Sequence, residues 1–163
     1  MNAADQRMLK TFAINNMAEI EAGRMAQSKT QSEQVRTFAQ RMIDDHTKAL
    51  DDVRQLAQTK GVALPTDLDA ANKRKAARLA ALSGEAFDRA YMAQAGVADH
   101  KKNHSLLQQA QSRAKDPDLQ ALAARTLPVV DQHLNSAQDL HKHTARGSSK
   151  TQGRTGSSGC KQE

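Results

Sequence analysis

Four side chains that could bind a metal ion fall on the apolar sides of four separate predicted helices. At 100° per residue, His46 lies within roughly 40° of the apolar positions of its helix, and His133 is placed similarly in the last helix. His100 is surrounded by small and apolar residues, and Glu19 points inward whereas Glu21 points outward. The sequence therefore directs three imidazoles and one carboxylate towards the interior.

These four groups also fall at similar heights along their helices. At a rise of roughly 1.5 Å per residue, Glu19 and His46 lie about 16 and 24 Å from the turn between the first two helices, and His100 and His133 about 22 and 26 Å from the turn between the last two. Unpaired polar groups are costly to bury, and a divalent metal removes that cost. The pattern predicts an interior site for a divalent transition metal (Zn, Cu, Fe or Ni) with the ligands Glu19, His46, His100 and His133.

Three further polar residues lie close to this set in the sequence. His104 is one helical turn from His100 and is the candidate for an additional ligand. Asp45 and Asp99 each come directly before an inward histidine, at the edge of an apolar stripe. We expect both carboxylates to be solvated or to orient a ligand rather than to bind the metal.

Four long segments with a 3.6-residue apolar period position these side chains. The second has Ser32 as its predicted N-cap and Gly61 just beyond its end, and the last has Asp116 as N-cap, Pro117 at its first position and Pro128 as a predicted bend. A shorter helix is predicted between the second and third. The predicted ranges are about 5–28, 32–60, 67–82, 85–114 and 117–143.

The composition favours helices throughout, since aromatic residues make up 2% of the chain and glycine and proline are sparse. The predicted fold is an all-α, ferritin-like four-helix bundle over residues 1–144, with the short extra helix in the connection between helices two and three. That connection is long enough to cross the bundle, which would make the third helix parallel to the second. An up-down-up-down order stays open.

Residues 145–163 have a different composition, rich in glycine and serine and without apolar periodicity. We predict a disordered basic tail, because such a segment buries too little surface to offset its ordering entropy. It contains Cys160, the single cysteine, so the sequence allows no intramolecular disulfide.

The formal net charge of +6 raises the question of nucleic-acid binding. The chain lacks aromatic stacking platforms and any recognition motif, so we expect no specific nucleic-acid partner. No stretch reaches the roughly 20 apolar residues of a membrane span. Residues 1–10 lack the pattern of a secretory signal.

Five segments together resemble the successive signatures of a bacterial family, the domain of unknown function 4142: NMAEIEAGRMA, VRTFAQRMIDDHTKA, LSGEAFDRAYM, VADHKKNHSLL and LPVVDQHLNSA. The resemblance runs from about residue 5 to residue 143. It implies a ferritin-like bundle that is exported to the periplasm or associated with the outer membrane. The matching motif positions are Glu19, His46, Asp88, Tyr91, His100 and His133. For Asp88 and Tyr91 we expect a structural role, in which hydrogen bonds tie the third helix to a neighbour.

Two classes of function follow from these observations. The first is a non-catalytic protein that sequesters or senses a transition metal, with the metal ion as its principal partner. The alternative is a structural or stress-related bundle that contacts a protein or an envelope surface, and whose polar cluster only fixes the helix register without metal. An enzyme ranks last, because the chain has no Glu-x-x-His pair and no identifiable nucleophile.

Overall fold

Two long antiparallel helices form the first part of the computed structural model, which describes the backbone of residues 1–161 and the side chains of residues 1–143. Helix α1 spans Ala3–Lys29 and α2 spans Glu33–Lys60. Ser32 caps α2 by accepting a hydrogen bond from the Val35 amide at 3.3 Å. Gly61 ends it in the left-handed region, at φ 69°, which glycine adopts without a side-chain clash. Both predicted ends of α2 are therefore confirmed.

The connection after α2 crosses the bundle from one end to the other. It contains α3, Ala70–Ala80, which is shorter than predicted. At its start, Lys60 Nζ lies 2.7 Å from Asp118 Oδ2 in the first turn of the last helix. At its finish, Lys29 Nζ at the end of α1 donates to the carbonyl oxygens of Ala80 and Leu82, each at 2.7 Å. The next rod therefore runs parallel to α2, with the single long crossover that ferritin-like folds use.

The third rod is helical from residue 84 to residue 113, but it is not an α-helix throughout. It consists of α4, Gly84–Tyr91, a π-helical segment, Met92–Ala98, and α5, Asp99–Arg113. The backbone stays in the right-handed helical region across both junctions. The sequence predicts the extent of this rod correctly and gives no indication of the π segment.

Helix α6 spans Pro117–Lys161 and contains Pro128. Asp116 caps it as predicted, because Asp116 Oδ1 accepts hydrogen bonds from the Asp118 and Leu119 amides at 2.9 and 3.2 Å. Side chains after residue 143 lie outside the described residues, including that of Cys160. The helical backbone continues beyond the predicted end near residue 143, and the division of the chain at residue 144 stays a prediction.

The buried apolar residues form two clusters, one towards each end of the bundle. On α2 the first cluster takes Leu50 and Val53, and the second takes Val35 and Met42, with His46 between them. The third rod and α6 repeat this order, because His100 and His133 also separate apolar residues of one cluster from those of the other. A polar layer thus lies between two apolar layers near the middle of the bundle.

Candidate metal centre

Three histidines from three different helices meet in the polar layer. His46 Nε2 lies 3.3 Å from His100 Nε2, and His100 Nε2 lies 3.3 Å from His133 Nδ1. These ligand atoms all fall within 4.8 Å of one another. The three residues are only 3%, 1% and 1% exposed, respectively. The histidines that the sequence directs inward from α2, α5 and α6 therefore share one buried position.

The second nitrogen of each ring is held by a hydrogen-bond acceptor. His46 Nδ1 lies 2.8 Å from the side-chain oxygen of Asn16 on α1. His100 Nδ1 lies 2.8 Å from the carbonyl oxygen of Ala95 in the π segment. His133 Nε2 lies 2.7 Å from Oδ2 of Asp45 on α2. Each ring is thereby oriented by a group outside the cluster, as in many protein metal sites.

These acceptors decide which nitrogen carries the proton. A carbonyl oxygen and a carboxylate only accept, and Asn16 presents its oxygen to His46 because its amide nitrogen donates to the Phe12 carbonyl at 2.9 Å. In each neutral ring the outer nitrogen is therefore the N–H donor, and the inner nitrogen has a free lone pair. The two 3.3 Å contacts then join acceptor to acceptor, with no hydrogen between them. Three lone pairs face a common point.

The surroundings keep the imidazoles in the neutral form that binds metals. Burial lowers the pKa of His46, and the neighbouring histidines lower it further. Burial also lowers the pKa of His100, to about 4. The pKa of His133 is lowered by burial too, although the hydrogen bond to Asp45 opposes that shift. Because only a deprotonated nitrogen can bind a metal, the cluster is ready to bind at neutral pH.

The π segment places His100 and its acceptor. The Asp99 amide bonds to the carbonyl of Gln94, five residues earlier, instead of the usual four. On an unbroken α-helix, Tyr91 and His100 would lie about 180° apart. The additional residue in the π turn brings both to the interior, where they are 0% and 1% exposed. Such π turns often occur at functional sites.

Glu19 lies beside the histidine cluster and not within it. Its Oε1 is 3.8 Å from Nδ1 of His100, which is the nitrogen that already faces Ala95. Its Oε2 is buried and has no hydrogen-bond partner among the described residues. Burial, reinforced by the charge of Asp99, raises the pKa of Glu19 well above its usual value. The geometry therefore assembles the three predicted histidines and leaves the predicted carboxylate at the outer edge of His100.

The model of one family, described as Domain of unknown function (DUF4142), matches residues 1–140. The chain belongs to this family. Among curated proteins, none matches it. No described helix has both the length and the apolar composition that crossing a bilayer requires.

Several solved structures have a similar fold to this DUF4142 chain. A DUF305 fragment from Deinococcus radiodurans aligns with a TM-score of 0.77 at 10% identity, over 87% of this chain and 97% of that one. A DUF305 protein from Streptomyces coelicolor, proposed to be secreted, aligns with a TM-score of 0.74 at 13% identity, over 87% of this chain and 92% of that one. CopM in its Cu(I)-bound form aligns with a TM-score of 0.70 at 14% identity, over 85% of this chain and 96% of that one. At these identities the likeness concerns the fold.

The DUF4142 chain places two other predicted residues in contacts with oppositely placed polar groups away from the cluster. His104, the candidate additional ligand, lies outside the group because its Nε2 is 2.7 Å from Asp131 Oδ1. Asp99 pairs with Lys75 on α3, at 3.0 Å. Asp45 orients a histidine of the cluster, but this histidine is His133 on α6 and not the adjacent His46.

Asp88 and Tyr91 do not make the hydrogen bonds expected of them. Asp88 Oδ1 and the Tyr91 hydroxyl are buried and have no hydrogen-bond partner among the described residues. The ring of Tyr91 is instead stacked on Phe87, with centroids 5.9 Å apart, and meets the edge of Phe38 at 6.2 Å. What holds this part of the third rod in place is aromatic packing.

Proposed function

We propose that this DUF4142 protein binds one transition-metal ion through His46, His100 and His133, and that it sequesters or senses the metal without catalysing a reaction. The observation that carries the proposal is the convergence of three unprotonated ring nitrogens, each on a ring whose other nitrogen is anchored. Three buried acceptors that face one another are mutually unfavourable, and a bound cation turns the same arrangement into a stable one.

The spacing of the nitrogens supports this proposal. Two nitrogens that are each about 2.0–2.1 Å from one metal ion lie roughly 3.3 Å apart in tetrahedral coordination. Both close contacts in the cluster have this separation. A small inward adjustment of His46 and His133 would therefore complete a three-nitrogen site. Because all three protein ligands are buried, the site is suited to retaining a bound ion.

Copper is one of the predicted metals, but we propose the monovalent ion Cu(I) as the preferred ion instead of the divalent ion that the sequence predicts. The three imidazoles are neutral, and the carboxylate of Asp45, which is hydrogen-bonded to His133, contributes a single negative charge. The cost of burying an ion rises steeply with its charge, so this site suits a monovalent ion better than a divalent one. Imidazole is also an established ligand type for copper. CopM, whose fold is similar, has been solved with Cu(I) and with silver bound.

We propose the bacterial envelope as the location of this function. Membership of the DUF4142 family supports an exported protein, and the similar Streptomyces coelicolor structure is of a protein proposed to be secreted. A protein partner or an envelope surface belongs to the same proposal.

Anaerobic titration with Cu(I), in competition with a chromophoric chelator, tests the metal site. The wild type is expected to bind one equivalent, and His46→Ala and His100→Ala are each expected to lose at least about 100-fold in affinity while remaining folded by circular dichroism. His104→Ala is the matched control, because this histidine lies one turn from His100 and outside the cluster. Equally weak binding by wild type and His46→Ala would overturn the proposal.

The alternative function, a polar layer that only fixes the helix register, makes the opposite prediction for stability. This alternative is supported by the position of the histidine layer between two apolar layers. In that case one equivalent of Cu(I) would leave the melting temperature of the wild type unchanged. A bound ion stabilises the native state by an amount that grows with the logarithm of its affinity, so metal binding at the cluster predicts a clear rise in melting temperature that His46→Ala abolishes.

A further inference from the structure

A partly open cavity connects the histidine cluster with the protein surface. Its volume is about 170 Å³, and it lies where α1, α3 and α5 meet. His46 and His100 line its inner part, and the exposed residues Asp69 and Lys102 line its outer part. The space is wide enough for several water molecules. His46 thus belongs both to the metal cluster and to a passage that leads out of it.

Glu19 lines this passage at the depth of the cluster. It is 6% exposed, and its Oε2 has no hydrogen-bond partner among the described residues. A buried carboxylate oxygen without a partner is unfavourable unless a cation or water visits it. Because Glu19 faces the outer nitrogen of His100, it lies beside the cluster, where the cavity borders it, and not among the three ligands.

An ion pair stands at the outer part of the passage. Lys75 Nζ on the crossing helix α3 lies 3.0 Å from Asp99 Oδ1 on α5. Both residues line the cavity, and their side chains are 29% and 24% exposed. A partly solvated pair of this kind contributes little net stability, so it opens at small cost. Opening it would leave Asp99 available to an incoming cation.

We propose that this cavity is the path by which a metal ion reaches the three histidines, with Glu19 as a transient ligand on the path and the Lys75–Asp99 pair as its gate. The inference rests on the proposed metal-binding function and adds to it the face of the protein through which the metal ion enters. A cation that leaves water loses part of its hydration shell, and the oxygens of Glu19 beside the cluster can replace part of it while the ion moves to the imidazoles. Neither Glu19 nor Lys75 contributes to the equilibrium affinity in this arrangement.

Kinetics separate a residue on the path from a residue that holds the bound ion. Metal-free protein is mixed with Cu(I) in a weakly binding solvent ligand, and unbound copper is captured after set times by a chromophoric chelator. Release is followed by adding excess chelator to the loaded protein. Glu19→Gln is expected to slow both loading and release by at least about tenfold, because an amide oxygen is a weaker ligand for a passing cation than a carboxylate oxygen. Its affinity is expected to stay within about threefold of wild type.

Each path variant has a matched control on its own helix. Glu21→Gln makes the same substitution at an exposed position of α1 and is expected to leave both rates unchanged. Lys75→Gln removes the gate and its positive charge, and is expected to speed loading several-fold. Lys73→Gln is its control, because Lys73 pairs with the exposed Asp67 and not with Asp99.

The possible results distinguish the path from the metal site itself. A wild type that fails to bind Cu(I) would overturn the proposed function and the path together. Tight binding by wild type with unchanged loading in Glu19→Gln would overturn the path alone. A loss of affinity in Glu19→Gln with an unchanged loading rate would also overturn it, because Glu19 would then hold the bound ion. Unchanged loading in Lys75→Gln would remove the gate from the proposal.

Discussion

Asn16 on α1 orients His46 on α2 through a hydrogen bond of 2.8 Å between the Asn16 oxygen and Nδ1 of the imidazole. The asparagine is itself fixed, since its amide nitrogen donates to the Phe12 carbonyl one turn earlier. Asn16 is 6% exposed and cannot exchange these bonds for water. The Asn16 side chain thus determines which nitrogen of His46 points at the cluster.

Asn16→Ala is therefore expected to weaken Cu(I) binding about 10- to 100-fold, the usual cost of losing a group that orients a metal-binding histidine. Without its acceptor, the His46 ring can rotate and its proton can move to the inner nitrogen. Asn16→Asp retains an oxygen acceptor and is expected to bind Cu(I) within a few-fold of wild type. Chelator competition at pH 7.5 measures both affinities. A normal affinity in Asn16→Ala would show that the cluster orients His46 unaided.

Helical periodicity was sufficient to find the histidines because α2 and α6 follow the α-helical period around them. A rise of 1.5 Å per residue gives the position of each residue along its helix to within about one turn. This precision was sufficient to show that His46, His100 and His133 lie at a similar height in the bundle. The third rod departs from this rule. Its π segment shifts the angular register before His100, so an α-helical period does not place Tyr91 on the same side as His100, although both side chains are buried.

The groups around the histidines could not be predicted in the same way. The inward direction of Glu19 follows from its position on α1, but which edge of the His100 ring it meets depends on the packing of two helices. The acceptor of His100 is a backbone oxygen, that of Ala95, and no side-chain pattern reveals it. Asn16 is a buried residue of α1, but its hydrogen bond to His46 is a tertiary contact between residues 30 positions apart, which helical periodicity does not reveal.

Metal binding is expected to persist at a lower pH than ordinary imidazoles would allow. Protons compete with the metal only below the pKa of the ligand, and burial lowers the pKa of all three histidines, that of His100 to about 4. An unperturbed imidazole has a pKa of about 6.5, so three of them would lose roughly 1000-fold in affinity between pH 7.5 and 5.5. Here the expected loss is less than about tenfold.

Cu(I) competition titrations across this pH range, corrected for protonation of the chelator, measure the effect. The His104→Ala variant is expected to give the same profile as wild type, because His104 lies outside the cluster. A steep decline centred near pH 6.5 would contradict the prediction, since it would mean that the rings titrate as if exposed to solvent.

Asp5 is expected to contribute to stability far from the metal site. It is 1% exposed, and its Oδ2 accepts hydrogen bonds from the amides of Lys115 and Asp116, at 3.0 and 2.8 Å. This joins the start of α1 to the turn that precedes α6. Asp5→Ala leaves the two amides without their acceptor and is expected to lower the free energy of unfolding by about 1–3 kcal/mol.

Urea denaturation of the metal-free protein, followed by circular dichroism, measures the loss in Asp5→Ala. Asp51→Ala is the matched control, because Asp51 is exposed and its contact with Arg54, at 3.8 Å, is solvated. Such a surface change is expected to stay within about 0.5 kcal/mol of wild type. The Cu(I) affinity of Asp5→Ala should be unchanged, because Asp5 lies at the end of α1 remote from the polar layer. Equal unfolding curves for Asp5→Ala and Asp51→Ala would show that water replaces the carboxylate at the two amides.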